Sequence, residues 1–292
     1  MQTRTQGRSA PPPAPPHGPV VVTVECTHTE LWSGGGIRIE SRRCDYGSEK
    51  WSDQLYADSF GVLLPIDGAY RLTTGRMTQF VDRGSGSFRR PGEEVLGFGI
   101  TRTHASTAIY VDVDRFDAVD GGDWPSGERL VDARLDLLHR LLRRDLRMGD
   151  DSGDVEMRTV EVIGAALNVD AAPAARRRSR TAARHRQIAA EVLEVLHQAD
   201  GSFSLIDLSR DVGCSPFHLS RIFHEATGVT LRQYRARTRL WAALDLLEQG
   251  ERDLSTISAT CGFADHSHLT RTAMAQLGAS PTRLRELLHP TR

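Results

Sequence analysis

The sequence predicts a multidomain chain with an N-terminal β-barrel of the jelly-roll type, a helical hairpin, and an all-α C-terminal domain that holds two helix-turn-helix units. Three observations support this order. Short apolar runs with a period of two occupy the first part of the 292 residues, and a leucine stripe with helical spacing follows them. A pattern near the C-terminus then repeats with an offset of 50 residues, from His218 to His268 and from Arg221 to Arg271. A repeat of this length is typical of one supersecondary unit.

Charge is distributed unevenly along the chain. Residues 176–292 contain 17 Arg against 12 Asp plus Glu, although the whole chain has a formal net charge of -1. The basic C-terminal part is therefore expected to meet a polyanion. No apolar stretch approaches about 20 residues, and no apolar segment precedes the N-terminal prolines, so we expect a cytoplasmic protein with no membrane partner.

Residues 1–19 are polar and rich in proline, which predicts a disordered tail. The segment 20–127 is predicted to form the barrel, because alternating runs are separated by turn signals such as Asp67-Gly68, Gly84-Ser85-Gly86 and Pro91-Gly92. A small barrel of this kind can enclose one small ligand. The candidate strands are 20–24, 37–40, 60–64, 70–72, 77–81, 95–98 and 108–111.

The barrel segment contains no arrangement of residues that predicts a metal or a catalyst. His104 stands alone among the later strands, and His28 is far from it in the sequence, so we expect a surface or hydrogen-bonded histidine. We predict no catalytic residue, no metal and no cofactor, and the effector-binding residues stay unassigned. Six aromatic residues either line a pocket or belong to an ordinary core: Trp32, Trp51, Tyr56, Tyr70, Phe80 and Phe98.

The four cysteines form no Cys-x-x-Cys pair. In a chain of this size we expect them to be free and mostly buried thiols in a reducing compartment. They are Cys26, Cys44, Cys214 and Cys261.

Two helical patterns predict a hairpin over 128–169. The first, from Glu128 to Met148, carries a leucine stripe, and the second runs from Val155 to Val169. The stripe either packs inside the chain or pairs with a second copy, which would make a homodimer. The segment 170–183 is predicted to be a linker whose arginines are solvated. Their charge would add an incidental electrostatic attraction to DNA phosphates.

The segment 184–289 is predicted to form the two helix-turn-helix units. In the first, Ser215 and Pro216 begin a helix that buries Leu219, Ile222 and Phe223. In the second, Cys261-Gly262-Phe263 forms the turn, Asp265 caps the next helix, and Leu269 and Ala273 face inward. A helix of about 17 residues, from Leu231 to Leu247, joins the units and spans roughly 25 Å. We expect Trp241 and Leu244 to anchor it in the two cores.

These residues resemble the AraC/XylS family of bacterial transcription regulators. The resemblance rests on Ser215, the stretch His218-Leu219-Ser220-Arg221, and Phe223, Gly228, Tyr234 and Arg239-Leu240 in the first unit. In the second it rests on Gly262-Phe263, Asp265, Ser267-His268-Leu269, Arg271, Gly278 and Ser280-Pro281. The barrel resembles the cupin-like sensory domain of that family by strand pattern and position alone. The family usually has phenylalanine at the position of Ala273, which predicts looser packing of the second unit.

The resemblance implies which side chains meet DNA. Arginine can read guanine through two hydrogen bonds, and Ser or Thr can contact bases or phosphates, which agrees with these positions. His218 and His268 occupy equivalent repeat positions, so a capping or phosphate role is the alternative for them. The predicted DNA-binding residues are Phe217, His218, Ser220, Arg221, His266, Ser267, His268, Thr270 and Arg271.

We therefore expect a transcription regulator that is not an enzyme, with activation more frequent than repression in the family. Its partners would be double-stranded promoter DNA, RNA polymerase and a small-molecule effector. Two alternatives stay open: a cupin-type enzyme with an appended DNA-binding domain, and an architectural DNA-binding protein whose barrel holds no ligand.

Overall fold

The structure is a computed structural model that describes residues 24–46, 55–74, 77–119, 124–149, 153–168, 180–198 and 204–289. The predicted tail 1–19, nearly all of the strand 20–24, Trp51 and most of the linker 170–183 lie outside the described residues. In the described part of the chain, no helix is long and apolar enough to cross a membrane.

The N-terminal half consists mainly of antiparallel strands. Its elements are β1 (Glu25–Gly34), β2 (Ile37–Asp45), β3 (Leu55–Tyr56), β4 (Phe60–Asp67), β5 (Tyr70–Thr74), β6 (Met77–Val81), β7 (Ser85–Arg89), β8 (Glu94–Gly99), β9 (Thr103–Val111), the short helix α1 (Val113–Val119) and β10 (Gly127–Leu130).

The strands form two sheets, so the N-terminal half is rich in β-structure as predicted, but the barrel of the jelly-roll type is not closed. One sheet has six strands in the order β1-β2-β9-β4-β7-β10, and the other has four in the order β3-β8-β5-β6. Among the described residues, no ladder of backbone hydrogen bonds joins the two sheets. Alternation of apolar and polar residues is common to barrels and sandwiches, so it could not distinguish a closed sheet from two sheets packed face to face.

Strand alternation gives the six-stranded sheet two different faces. Ile39, Val62, Phe88 and Ile109 point to one side, where they join a core with the following helices. The other side faces the four-stranded sheet and encloses a cavity of about 30 Å³. The inner face carries Arg42, Arg89 and His104, all of them buried, together with Ser85, Ser87 and Ser106.

Two of the cysteines are joined. Cys26 and Cys44 form a disulfide, and they stand directly opposite each other in the β1–β2 ladder. The expectation of four free thiols is therefore wrong for this pair, because the pairing depends on a strand register that cysteine spacing does not reveal. Cys214 is half-buried and Cys261 is buried, and both are free.

The remaining helices are α2 (Ala133–Met148), α3 (Gly153–Leu167), α4 (Arg180–Gln198), α5 (Leu205–Asp211), α6 (Pro216–Thr227), α7 (Leu231–Glu248), α8 (Leu254–Thr260), α9 (His266–Leu277) and α10 (Pro281–Leu288). The prediction that helix begins at Glu128 is wrong. Residues 127–130 pair with β7 as an edge strand, and the helix begins only after Asp132, whose side chain accepts a hydrogen bond from the Leu135 amide.

The leucine stripe of α2 packs within the chain on two sides. Leu135 and Leu142 join α3 and the outer face of the six-stranded sheet in one core. Leu141, on another side of the helix, belongs to a cluster with Leu244 of α7 and Leu269 of α9. Helix α2 is thus shared between the β-sandwich and the helical C-terminal half.

Helix α4 makes a second contact between the halves. Its Ile188 and Val192 form a cluster with Phe80 of β6. Glu194 accepts hydrogen bonds from Nη2 of Arg71 at 2.6 Å and from its Nε at 3.1 Å. The last residues of α4 also contact the β6–β7 turn, where Nδ1 of His197 lies 3.3 Å from Oδ2 of Asp82.

A buried arginine connects α2 to α7. Arg140 is 2 % exposed, and its guanidinium lies 2.8 Å from Asp136, 2.9 Å from Asp245 and 2.9 Å from Glu248. Asp245 also accepts a hydrogen bond from Nη2 of Arg83 in the β6–β7 turn at 2.9 Å. Burial by itself would lower the pKa of Arg140, but the carboxylates of Asp136 and Asp245 outweigh it and raise the pKa. The cation therefore holds three elements together.

We predict that Arg140→Met lowers the free energy of unfolding by about 3–5 kcal/mol, because it leaves the buried carboxylate of Asp136 without its cation. Arg134→Met is the matched control, since Arg134 lies on the same helix but is exposed. Urea unfolding of both variants measures the difference. An equal, small effect of the two substitutions would contradict a structural role for Arg140.

The ion pair of His197 predicts a dependence of stability on pH. The hydrogen bond to Asp82 raises the pKa of His197, although burial opposes it. A raised pKa stabilises the fold fully below the unfolded value of about 6.5, and this stabilisation disappears as the pH rises through the folded value. His197→Gln should therefore flatten the decline of the free energy of unfolding as the pH rises above about 6.5. Identical pH profiles for wild type and variant would exclude this contribution.

Candidate nucleic-acid interface

The first helix-turn-helix unit consists of α5 and α6. Ser215 caps α6 by accepting a hydrogen bond from the His218 amide at 3.2 Å, and Pro216 occupies the first turn, where its missing N–H is not needed. The turn before it contains Gly213 with a φ of 70°, a conformation that favours glycine. Leu219, Ile222 and Phe223 are fully buried, as predicted.

The opposite face of α6 presents the predicted contact residues to solvent. Phe217 is 82 % exposed and Arg221 is exposed, whereas His218 and Ser220 are half-buried. Arg221 lies 3.2 Å from Nδ1 of His218 through Nη2 and 3.6 Å from Glu225 through Nη1. These contacts hold the guanidinium along the surface of the helix.

The second unit repeats this geometry with α8 and α9. Asp253 caps α8, and Asp265 caps α9 by accepting a hydrogen bond from the His268 amide at 2.7 Å. The same hydrogen bond lowers the pKa of Asp265. Gly262, at φ 72°, forms the turn between the helices, and Leu269 and Ala273 are buried.

On the outward face of α9, His266, Ser267 and Arg271 are exposed, and Thr270 is half-buried. His268 has contacts of a different kind. Its Nδ1 accepts a hydrogen bond from the Ala264 amide at 3.3 Å, and its ring meets Phe263 edge-on at 5.4 Å. This arrangement favours the alternative of a capping role for His268.

His218 does not share that capping contact. Its ring meets His185 of α4 edge-on at 6.2 Å, and it contacts Arg221 rather than a backbone amide. The two equivalent histidines therefore have different environments, although they occupy the same position in the repeat.

Helix α7 anchors both units. Thr230 and Gln233 form a reciprocal capping box at its start. Trp241 belongs to the cluster that includes Phe223 of the first unit, and Leu244 belongs to the cluster of the second unit. This confirms the prediction that the helix is fixed in both cores.

Helix α7 carries a basic face that was not predicted from the sequence. Arg232 and Arg239 are exposed, and Arg235 lies between them on the same side. Nε and Nη2 of Arg235 have no hydrogen-bond partner among the described residues. Burial, followed by the charge of Arg239, lowers the pKa of Arg235. Spacings of three and four residues were the signal that could have identified this face.

Ala273 is fully buried, although the sequence predicted looser packing around it. It belongs to the same cluster as Leu141 and Ala133, and α2 packs directly against α9. A small residue at this position lets another helix approach closely. The N-terminal half thus completes the core of the second unit.

Comparisons with known proteins agree with this geometry. A family model described as a helix-turn-helix domain matches residues 208–287. The arabinose operon regulatory protein of Escherichia coli strain K12 is 29% identical over 89 residues, which are 30% of this chain and 30% of that protein. The transcriptional activator RhaR of the same strain is 31% identical over 85 residues, 29% of this chain and 30% of that protein. The chain thus matches less than a third of the length of these relatives.

Among solved structures, the DNA-binding domain of AdpA in complex with a target DNA is 26% identical, with a TM-score of 0.32, and the match covers 36% of this chain and 97% of that one. The arrangement of capped helices, glycine turns and buried residues in this chain is typical of helix-turn-helix units. Together with the family model and the two sequence relatives, it identifies the C-terminal region of the chain as a helix-turn-helix domain of the AraC type.

Proposed function

We propose that the protein is a sequence-specific transcription regulator that reads two adjacent major grooves with α6 and α9. The observation that carries this proposal is the pair of outward helix faces, each with an exposed arginine, Arg221 on α6 and Arg271 on α9. The guanidinium of arginine can donate two hydrogen bonds to the major-groove edge of guanine. The two faces otherwise differ, so we expect the two half-sites to differ in sequence.

The length of α7 suits this mode of binding. Its 18 residues span about 27 Å, and half-sites on one side of B-DNA lie about 34 Å apart. A helix anchored in both cores would fix the distance between the units. Its basic face, with Arg235 and Arg239, would contact the phosphates between the two grooves and contribute affinity without specificity.

The β-sandwich is proposed to sense a small molecule. Neighbouring residues support a route from its interior to the C-terminal half. Tyr70 lines the cavity, and Arg71, the next residue of β5, pairs with Glu194 of α4. Likewise, β7 carries Arg89 at the cavity, and the turn before β7 carries Arg83, which pairs with Asp245. A ligand that shifted either strand would favour one arrangement of the two halves over another.

Further partners complete the proposal. One sequence relative is an activator by name, which supports activation through RNA polymerase for this chain.

The leucine stripe is occupied within the chain, so we assign a homodimer contact to α3, where Met157 and Val160 are exposed apolar residues three positions apart. A promoter-binding protein of this kind would act in the cytoplasm.

Arg271→Ala should weaken binding to the specific site by about 1–3 kcal/mol and relax the base preference at one position. Arg102→Ala is the matched control, because Arg102 is an exposed arginine of the β-sandwich. Fluorescence anisotropy with a selected DNA site and with random DNA, at one salt concentration, measures both affinities. Equal affinity of the wild type for both DNAs would favour the architectural alternative, and wild-type affinity of the variant would remove Arg271 from the interface.

Phe217→Ala should reduce DNA affinity while it changes the free energy of unfolding by less than about 0.5 kcal/mol, because the ring is exposed. Phe223→Ala on the same helix should lower that free energy by about 3–5 kcal/mol, because its ring is fully buried. Thermal unfolding measures the stability of both variants, and fluorescence anisotropy measures their DNA affinity. Together they distinguish a lost DNA contact from a loss of folding. Unchanged DNA binding by Phe217→Ala would show that the exposed ring does not touch DNA.

A further inference from the structure

The interior of the β-sandwich is unusually rich in unsatisfied polar groups. Nε of Arg42 and Nε of Arg89 have no hydrogen-bond partner among the described residues, and neither do the hydroxyl of Tyr70 and Nδ1 of His104. Each of these four side chains is more than nine-tenths buried, and all four line the same cavity. Buried polar groups are normally paired, so a cluster of this kind in one cavity indicates a missing partner.

The strand register explains how these groups meet. Arg42 of β2 lies opposite Ser106 of β9, and Cys44 lies opposite His104, all on the inner face of the six-stranded sheet. Tyr70 approaches from the four-stranded sheet, and its ring centroid lies 4.5 Å from that of His104. Both sheets therefore contribute to one polar chamber.

No carboxylate in the described residues compensates the two guanidinium groups. The charged and titratable groups that act on Arg89 are Arg42, Tyr70, Tyr110 and Tyr46. Glu40, two residues before Arg42 on β2, pairs with Arg38 and lies 3.2 Å from Nδ1 of His28. Burial raises the pKa of Glu128 to about 8, so that side chain is mostly neutral at pH 7.

The other titratable groups of the chamber are neutral as well. Burial, followed by the charges of Arg42 and Arg89, lowers the pKa of His104 to about 4. Burial raises the pKa of Tyr46 and of Tyr70. The chamber thus has two buried positive charges and neutral neighbours. Buried charges without a counterion are strongly unfavourable, so an anion is the partner that fits.

We propose that the β-sandwich binds a small organic carboxylate between Arg42 and Arg89. Guanidinium groups match the planar carboxylate with paired hydrogen bonds. The hydroxyl of Tyr70 can donate a further hydrogen bond, and Leu63, Leu72 and Val95 provide apolar walls for a short hydrocarbon part. A cavity of about 30 Å³ holds two or three water molecules, which is the space of a carboxylate with one or two carbons.

This inference deepens the proposed sensing role by naming the chemical class of the effector. Binding is measured on the full chain without DNA, so a failure here is distinct from a failure of DNA recognition. The probes are sodium formate, sodium acetate and inorganic phosphate, each compared with sodium chloride at equal ionic strength. Differential scanning fluorimetry gives the saturable rise in Tm, and calorimetric titration gives the Kd.

We expect formate or acetate to raise the Tm of the wild type saturably above the chloride reference. Arg42→Met and Arg89→Met should weaken this binding about tenfold or more, because each removes charged hydrogen bonds to the ligand. Arg43→Met is the matched control, since Arg43 is the next residue of β2 and is exposed on the other face. It should bind as the wild type does.

Three results would overturn the proposal. The first is that no carboxylate stabilises the protein more than chloride does. The second is that a carboxylate stabilises the wild type and Arg42→Met equally. The third is stabilisation by phosphate alone, which would assign the chamber to inorganic phosphate. Should both methionine variants fail to fold, Tyr70→Phe decides, because it removes only an unpartnered hydroxyl. It should fold as the wild type does and bind the carboxylate more weakly, and wild-type binding by this variant would place the anion elsewhere.

Discussion

The arrangement of the two halves depends on the buried charge of Arg140. A guanidinium removed from water needs several acceptors, and this one obtains them from its own helix and from α7. Asp245 is shared with Arg83, so the β6–β7 turn enters the same cluster. Because α7 carries both helix-turn-helix units, one buried ion cluster ties the DNA-reading half to the β-sandwich.

This constraint places the polar chamber of the β-sandwich and the helices α6 and α9 on connected elements. Tyr70 and Arg71 are adjacent residues of β5, one in the polar chamber and one paired with α4. Strand β7 begins at the β6–β7 turn, which carries Arg83, and ends at Arg89 in the chamber. Helix α2, finally, reaches the core of the second unit beside Ala273. A change in the charge state of the chamber would therefore act on elements that already touch the C-terminal half.

The sequence predicted best what local chemistry determines. Ser215 and Asp265 cap their helices as expected, and Leu219 and Phe223 are buried because helical spacing places them on one face. Features that depend on contacts between residues far apart in the sequence were not predicted. Gly84-Ser85-Gly86 was interpreted as a turn, yet Ser85 and Gly86 belong to the strand β7, which β4 and β10 flank on either side. The disulfide, the polar chamber and the Arg140 cluster depend likewise on register and docking, which no local pattern encodes.

Phe217 and Arg221 are exposed on α6, and His266, Ser267 and Arg271 are exposed on α9, whereas their contact with DNA stays a prediction. His268 caps a backbone amide, and a basic face on α7 joins the two recognition helices. In the proposed binding mode, both units read DNA together at a distance fixed by α7. Hydroxyl-radical footprinting of the full chain on a selected site tests it most directly. We predict two protected stretches about 10 bp apart on one side of the duplex. A single protected stretch would contradict it.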